Sequence, residues 1–318
     1  MPKIIFCKGI NVSPPAPADY IRYLAAKKRV DDRSLNLQVW DRLAEALRSR
    51  QDPAPLRVLE VGCGIGTMVE RMLDEGLLHR AAYTGIDIEP EFLRAAGERL
   101  RRTAHFQRSE LSAAGDTAVL SSPGHQVRVT LQAADLLEFM ERSAERSSWD
   151  LLVAHAVLDL IDLPTALPRL LGLLVPGGRF YFTLNFDGAT IFEPVLDPEL
   201  DALIEALYHQ TMDQRRRGGH PAGSCVTGRR LFGSLAAAGA RVSAAGGSDW
   251  VVFPGPDGYP GDEAYFLQVI VDTVGQALQG HPRLAAGRLR EWLHRRHGQI
   301  EAGELIYLAH QVDFFGYI

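Results

Sequence analysis

The segment Val58–Thr67, which reads VLEVGCGIGT, constrains the fold of this chain more than any other segment. A short apolar run containing one acid leads into three glycines at alternate positions, Gly62, Gly64 and Gly66. Glycine adopts positive φ and has no Cβ, so the pattern predicts a buried strand ending in a tight turn that a ligand can approach closely. In parallel sheets, ligands bind at such turns, beyond the carboxyl ends of the strands.

The rest of the chain alternates apolar runs with helical periodicity, which indicates a parallel sheet covered by helices on both faces. Two helices come first, at 18–30 and 35–48. Strands are predicted at 57–62, 82–88, 127–134, 149–157, 179–186, 240–253 and 305–315. The remaining helices are predicted at 66–78, 90–103, 136–146, 164–174, 199–217, 228–238, 263–278 and 284–303. The fold class is therefore α/β.

The glycine spacing indicates which kind of nucleotide the turn receives. The dinucleotide fingerprint GxGxxG requires a glycine at position 67, where this chain has Thr67, so the third glycine comes one place early. Glu60 lies in the strand two residues before Gly62, where a carboxylate can orient the turn but would sit poorly beside a pyrophosphate. The pattern favours a nucleoside without phosphates, although the glycines alone could serve only a tight turn.

Two further acids end the second and third strands. Asp87 is placed to accept both hydroxyls of a ribose, which supports a ribose without selecting a cofactor. Asp135 is placed to accept from an exocyclic amine such as that of adenine, with Ile88 and Leu136 as apolar faces for the ring. In the alternative reading both acids cap helices, Asp87 the one that Pro90 opens and Asp135 the one that begins at Leu136.

The sequences LEVGCGIGT, GIDIEP, AADL, DLLVAHAVLD and LLVPGG follow one another in this order. This set resembles the class I S-adenosylmethionine-dependent methyltransferases over roughly Val58–Leu184. The resemblance implies S-adenosylmethionine as the cofactor. It also implies a seven-stranded, mostly parallel, doubly wound sheet whose last strand is antiparallel, which extends the expected fold to the end of the chain.

The resemblance also assigns candidate residues to parts of the cofactor. The turn, with Gly62, Cys63, Gly64 and Gly66, is expected to meet the methionine part, Asp87 the ribose and Asp135 the adenine amine. His155, just beyond the fourth strand, is expected to border the methyl group. Arg33 either reaches the methionine carboxylate or is an ordinary surface arginine at a helix start.

Methyl transfer from a sulfonium mainly requires alignment, exclusion of water and sometimes removal of a proton, so no fixed catalytic signature is expected. His155 is the candidate base, because imidazole titrates near neutrality, or else it packs against the cofactor. Asp159, Asn185 and Asp187 either bind or deprotonate the acceptor, or they cap the next helix or satisfy loop backbone. We take His155 and Asp159 as the candidate catalytic residues.

The acceptor is expected to be a small molecule. After the fourth strand the chain reads AHAVLD, which departs from the Asn/Asp-Pro-Pro-aromatic run of enzymes that methylate amino groups of nucleic acids. The predicted organisation is a helical preface at 1–54 and a methyltransferase domain at 55–318, with helical insertions at about 187–226 and 255–304. These helices are expected to form a lid around a closed pocket, which suits small molecules better than polymers.

The composition argues against several other partners. The 318 residues include 34 Lys and Arg against 39 Asp and Glu, a net charge of −5 that disfavours a nucleic-acid partner. The Arg215–Arg217 run reads as a solvated helix end. No apolar stretch is long enough to span a membrane, and three cysteines without a CxxC motif suit the cytoplasm.

No metal site is expected. His294, His297 and Glu301 share helical spacing, but without a fourth ligand they indicate a solvent-exposed helix face. Two other functions stay open: an NAD(P)-dependent oxidoreductase, which the early third glycine disfavours, and a non-methylating protein that binds S-adenosylmethionine for regulation. The sequence does not indicate which acceptor atom is methylated or the oligomeric state.

Overall fold

In the computed structural model of the chain, the described residues are 17–103, 112–114, 117–122, 126–142, 146–217 and 219–318. Cys7 and parts of the polar segment at 107–126 lie outside them. The helices are α1 (Pro17–Ser34), α2 (Leu37–Arg48), α3 (Thr67–Asp74), α4 (Pro90–Arg102), α5 (Leu136–Glu141), α6 (Leu163–Leu171), α7 (Pro198–Asp213), α8 (Thr227–Ala237), α9 (Glu263–Leu278) and α10 (Ala286–Glu301). The first six strands are β1 (Leu56–Val61), β2 (Ala81–Asp87), β3 (Ser112–Ala114), β4 (Thr117–Ser122), β5 (Val127–Ala133) and β6 (Trp149–His155). The remaining strands are β7 (Leu174–Glu193), β8 (Arg216–Arg217), β9 (His220–Pro221), β10 (Arg241–Gly247), β11 (Trp250–Val252) and β12 (Ile306–Tyr317).

One large sheet carries the fold, in the order β10-β12-β7-β6-β1-β2-β5-β4-β3, with β11 paired to β12. β5, β2, β1, β6 and β7 are mutually parallel, and β12 runs antiparallel to both β7 and β10. The predicted α/β fold, with seven strands and an antiparallel last strand, is therefore confirmed. Among the described residues, a β3–β4 hairpin widens this sheet beyond the predicted seven strands. The strand region predicted at 240–253 forms two strands, β10 and β11, which both pair with β12.

Three hydrophobic clusters fill the layers. One packs α2, α3 and α4 against one face of the sheet, and a second packs α5, α6 and α8 against the other. The third joins α1, α7, α9 and α10 to the far ends of β7 and β12, where both strands continue past the parallel core. β7 extends to Glu193 because β12 pairs with it over nearly its whole length.

The helix boundaries follow local chemistry. Asn36 caps α2 by accepting from the Val39 N–H, and Pro90 opens α4 at a position where its missing N–H costs nothing. Helix α7 ends at Asp213, so the Arg215–Arg217 run is not a helix end as predicted. Instead β8 and β9 form a short antiparallel hairpin. Across the described ranges, every helix is too short or too polar to cross a bilayer.

Candidate functional site

The strand order reverses between β1 and its neighbour β6, and the glycine turn begins where β1 ends. Gly62, Gly64 and Gly66 have φ values of +67°, +51° and +76°, a region that favours glycine. A Cβ on Gly62 would lie 2.5 Å from Val157 Cγ2, and one on Gly66 would lie 3.2 Å from Ala96 Cβ. These two glycines therefore let the turn pack closely on its neighbours.

Gly64 is the glycine whose missing side chain leaves space. Among the described atoms, a Cβ there would have only Leu24 Cδ1 within 4 Å, at 3.7 Å. The Gly64 N–H donates to Asp87 Oδ2 at 2.9 Å, and the Glu89 N–H donates to Asp87 Oδ1 at 3.0 Å. Burial raises the pKa of Asp87, and these backbone donors oppose the rise. A carboxylate has about four acceptor sites, so Asp87 keeps room for further donors.

Glu60 and Cys63 lie buried next to the turn. Glu60 accepts a hydrogen bond from the Tyr83 hydroxyl at 2.7 Å. Burial raises the pKa of Glu60 to about 8, although the Tyr83 hydrogen bond lowers it. Glu60 thus bonds to strand β2 and not to the turn backbone that we expected it to orient. The Cys63 N–H donates to the Ile86 carbonyl at 3.0 Å, which also ties the turn to β2.

Asp135, at the end of β5, caps α5. Its Oδ1 accepts from the backbone N–H groups of Leu137 and Glu138 at 2.8 and 3.4 Å. Its Oδ2 accepts from the Arg217 guanidinium of the β8–β9 hairpin. The hairpin therefore reaches across to the edge of the sheet where adenine is expected. Leu136 and Ile88 are both half-buried at this edge.

His155 ends β6 and is held at both ring nitrogens. Its Nδ1 lies 2.7 Å from Thr183 Oγ1, and its Nε2 lies 3.2 Å from Asp31 Oδ2. Asp31, in α1, also accepts from Lys27 Nζ at 2.5 Å and from Trp250 Nε1 at 2.9 Å. This cluster joins α1, the sheet and β11 through one buried carboxylate.

The proton positions in this cluster follow from the pKa values. Burial lowers the pKa of His155 to about 4 against the opposing effect of Asp31, so the ring is neutral at pH 7. Burial alone would raise the pKa of Asp31, but Lys27 and His155 outweigh it and lower the pKa to about 2. An ionised carboxylate only accepts, so Nε2 carries the proton and Nδ1 accepts from the Thr183 hydroxyl. Thr183 is fully buried, so a buried hydroxyl already occupies the basic nitrogen of His155.

Two residues beside this cluster have left-handed backbone that L side chains rarely adopt. Ala156 has φ of +54° and Leu184 has φ of +55°, and the Ala156 N–H donates to the Thr183 carbonyl. Strained backbone of this kind concentrates at functional sites. Neither residue type signals such a conformation in the sequence, so sequence reasoning missed both positions.

Asp159 follows His155 in a 3₁₀ turn, Leu158–Leu160. Its Oδ1 is buried and has no hydrogen-bond partner among the described atoms. Burial raises the pKa of Asp159, and the charge of Arg215 opposes the rise. A carboxylate with an unused acceptor oxygen and a raised pKa has the properties of a general base.

The two other polar residues considered at these strand ends have structural partners. Asn185 Nδ2 donates to the Val312 carbonyl at 2.8 Å. Asp187 accepts from both the backbone and the side chain of Arg229, at 2.9 Å each, near the start of α8. Their alternative reading, as residues that satisfy neighbouring backbone, describes these contacts.

Arg33 is engaged elsewhere. Its guanidinium forms a two-pronged ion pair with Glu263, and its Nη2 also donates to the Val251 carbonyl at 3.0 Å. Glu263 is fully buried, so Arg33 ties α1 to α9 and β11. This partner, 230 residues away, was not foreseeable from the sequence around Arg33.

Helix α1 crosses the carboxyl end of the sheet. Leu24 approaches Gly64, and the Tyr20 ring stacks on Phe92 of α4 with centroids 5.4 Å apart and 14° between planes. Burial and the nearby Asp87 charge raise the pKa of Tyr20 to about 12, although Arg215 opposes the rise. The N-terminal helix therefore borders the glycine turn, the tip of β2 and His155.

The residues present fit an adenosyl sulfonium. Gly64 exposes backbone that a Cβ would cover, and Asp87 and Asp135 each retain carboxylate acceptor capacity. Among the described side chains, no group of three or more His, Cys, Asp and Glu is arranged to hold a metal ion. His297 instead contacts Asp272, with 2.9 Å between Nε2 and Oδ1.

Comparison with known proteins identifies the same segment. A family model described as "Methyltransferase domain" matches residues 59–180. A ubiquinone biosynthesis O-methyltransferase from Xanthomonas axonopodis pv. citri (strain 306) is 32% identical over 162 residues, which are 50% of this chain and 56% of that relative. The match thus spans little more than half of the relative's length.

Solved structures overlay on the chain with TM-scores below 0.5. The YcgJ protein of Bacillus subtilis overlays with a TM-score of 0.44 and 12% identity, covering 86% of this chain and 97% of that one. Phosphoethanolamine N-methyltransferase 2 of Haemonchus contortus, in complex with S-adenosyl-L-methionine, overlays with a TM-score of 0.39 and 16% identity, covering 88% and 52%.

The matched segment begins in β1 and ends in β7, so it contains the glycine turn, Asp87, Asp135 and His155. Over residues 59–180 the chain therefore matches the methyltransferase domain family.

Proposed function

We propose that this chain transfers a methyl group from S-adenosylmethionine to a small-molecule acceptor. One observation carries the proposal. The carboxyl end of the sheet holds an open glycine turn, carboxylates on neighbouring strand tips and an Asp159 oxygen that has no partner among the described residues. Together these groups would form a nucleoside-binding site with a general base beside it, at the carboxyl end of the sheet.

The cofactor contacts in this proposal follow the strand tips. The Gly62–Gly66 turn, which includes Cys63, receives the methionine part, and Asp87 accepts from the ribose hydroxyls. Asp135 accepts from the adenine amine, with Ile88 and Leu136 against the ring. Arg33 is left out of the proposed site because Glu263 already binds its guanidinium. His155 is proposed as a positioning residue that joins α1 to the sheet.

Asp159 is the proposed base. When bound, S-adenosylmethionine supplies a methyl carbon activated by the positive sulfur, and the carbon–sulfur electron pair returns to sulfur as that bond breaks. Asp159 takes the proton of an acceptor hydroxyl while the hydroxyl oxygen forms its bond to the methyl carbon. Burial, which raises the pKa of this carboxyl, strengthens it as a base.

The acceptor class is supported by the related sequence and by the elements around the site. The relative is named as an O-methyltransferase of ubiquinone biosynthesis, which favours a hydroxyl acceptor of small size. Helix α1, the β8–β9 hairpin and the helices of the proposed insertions at 187–226 and 255–304 would act as a lid. The helical preface at 1–54, a cytoplasmic location and the lack of a nucleic-acid partner stay predictions from the sequence.

Incubation of the purified chain with methyl-labelled S-adenosylmethionine and a panel of small hydroxylated compounds tests this proposal. Labelled methyl ether should form with at least one compound, detected by chromatography and mass spectrometry. If S-adenosylhomocysteine binds but no panel compound is methylated, the proposed reaction is contradicted and a non-methylating role is favoured.

Asp159→Asn tests the role of the base. The rate of transfer should fall by about 100-fold or more, the usual contribution of a general base, while S-adenosylhomocysteine affinity is unchanged. Asp162→Asn is the matched control, since Asp162 lies three residues further on and its side chain makes no capping bond to α6. Equal rates for the two variants would remove Asp159 from the chemistry.

A further inference from the structure

Arg215 comes directly before the β8–β9 hairpin, near the carboxyl end of the sheet where the cofactor is proposed to bind. We call this end, with the glycine turn, Asp87 and Asp135, the cofactor edge. The hairpin closes through the Ala222 N–H, which donates to the Arg215 carbonyl at 3.0 Å. The next two arginines are both engaged. Arg216 Nη1 donates to the Asp213 and Arg215 carbonyls, and Arg217 binds Asp135. Arg215, in contrast, makes no side-chain hydrogen bond or salt bridge to the described residues, and its Nε is buried without a partner.

The guanidinium of Arg215 lies close to Asp159. A Cβ on Gly223, which has φ of +126°, would lie 2.5 Å from the Asp159 carbonyl oxygen and 3.4 Å from Arg215 Nη1. Glycine at 223 therefore lets the chain pass between these two residues. The charge of Arg215 also opposes the rise in pKa of both Asp159 and Tyr20.

Arg215 and Asp159 are opposite in charge and close together, yet they form no salt bridge. Each has a buried polar atom without a hydrogen-bond partner, Nε in Arg215 and Oδ1 in Asp159. Leaving such atoms unsatisfied is unfavourable, so a ligand that satisfies both would be favoured. The planar guanidinium matches the oxygens of a carboxylate or phosphate better than any neutral group.

We infer that Arg215 binds an anionic group of the methyl acceptor, a carboxylate or a phosphate, while the acceptor hydroxyl meets Asp159. This inference rests on the proposed function, because it assumes that the acceptor lies beside Asp159. It narrows the substrate class to small hydroxylated acids or phosphate esters. Arg215 is then a specificity-determining residue that the proton transfer itself does not require.

Calorimetric titration of the chain saturated with S-adenosylhomocysteine tests the inference. The probes are benzoate, inorganic phosphate and the neutral analogue benzamide. At least one anion should bind the wild type, and which of them binds distinguishes a carboxylate from a phosphate. Arg215→Gln should weaken that binding by about tenfold or more, the loss expected for one charge-assisted contact. Arg215→Lys should keep part of the affinity, and Arg216→Gln should keep all of it.

The outcomes separate this inference from the proposed function. S-adenosylhomocysteine affinity is measured first, and thermal unfolding verifies that each variant is folded. If the cofactor product fails to bind the wild type, the proposed function fails. If it binds but neither anion does, or if Arg215→Gln binds the anion as well as the wild type, only the inference is overturned. Loss of S-adenosylhomocysteine affinity in Arg215→Gln would also overturn it, by moving Arg215 into the cofactor site.

Discussion

Three carboxyl groups near the cofactor edge differ because their partners differ. Asp31 is buried, but the Lys27 ammonium and the His155 N–H hold its pKa at about 2. Glu60 is equally buried, its only donor among the described residues is the Tyr83 hydroxyl, and its pKa rises to about 8. Asp159 keeps one oxygen unpartnered, and burial raises its pKa too. Desolvation acts on all three, and neighbouring charges decide which carboxyl group stays ionised.

Glu60→Gln should change how stability depends on pH. The folded state holds the proton of Glu60 up to about pH 8, whereas the unfolded chain releases it near the ordinary value of 4.5. The wild type therefore loses stability as pH rises through this window, with a slope approaching about 1.4 kcal/mol per pH unit.

Chemical denaturation at pH 6.5, 7.5 and 8.5 measures this effect. The glutamine side chain at position 60 cannot ionise, so the stability of Glu60→Gln should fall less with rising pH than that of the wild type. Both proteins share the titrations of His155 and Asp313, whose pKa values of about 4 and 6 in the folded state lie below the three pH values measured, so these titrations cancel in the comparison. Parallel curves for the two proteins would mean that Glu60 is already ionised in the folded state.

At the scale of elements, helix α1 packs over the carboxyl end of the sheet, where both polar and apolar contacts hold it. Leu24 and Tyr20 contact the cofactor edge, while Asp31 and Arg33 bind partners in the sheet and in α9. The amphipathic pattern predicted this helix at 18–30, close to its observed span. Its docking was not predictable, because the Asp31–His155 contact joins residues 124 positions apart.

Asp31→Asn should weaken the packing of α1 on the sheet and lower the free energy of unfolding. Removing the charge leaves the Lys27 ammonium, whose side chain is only 10% exposed, without its counter-ion. Breaking one partner of a buried pair typically costs about 3–5 kcal/mol of unfolding free energy. Asp262→Asn is the control, because its ion pair with Arg22 is more than half exposed on both sides, so its loss should change stability little. If both variants lose the same free energy of unfolding in urea denaturation, the Asp31 cluster stabilises the fold no more than an exposed ion pair does.

At the scale of the whole molecule, the sheet and the residues at the carboxyl ends of its strands were predictable from the sequence. The glycine turn, Asp87 and Asp135 fall at carboxyl ends of strands as predicted, because strand period and glycine chemistry are local properties. The hairpin Arg216–Pro221 was misread as a helix end, since three arginines after a helical pattern fit both structures. Arg217 reaches Asp135 across 82 residues, and only the folded chain reveals such a contact.

The central claim is that the open glycine at position 64 receives the cofactor, and calorimetric titration with S-adenosylhomocysteine tests it most directly. Gly64→Val fills the space above the turn and strains a residue at φ of +51°. Gly303→Val is the matched control, with φ of +66° and no atom of the described residues within 4 Å of its added Cβ. The wild type and Gly303→Val should bind, and Gly64→Val should not bind while its fold survives in circular dichroism. Undiminished binding by Gly64→Val, or no binding by the wild type, would contradict the account.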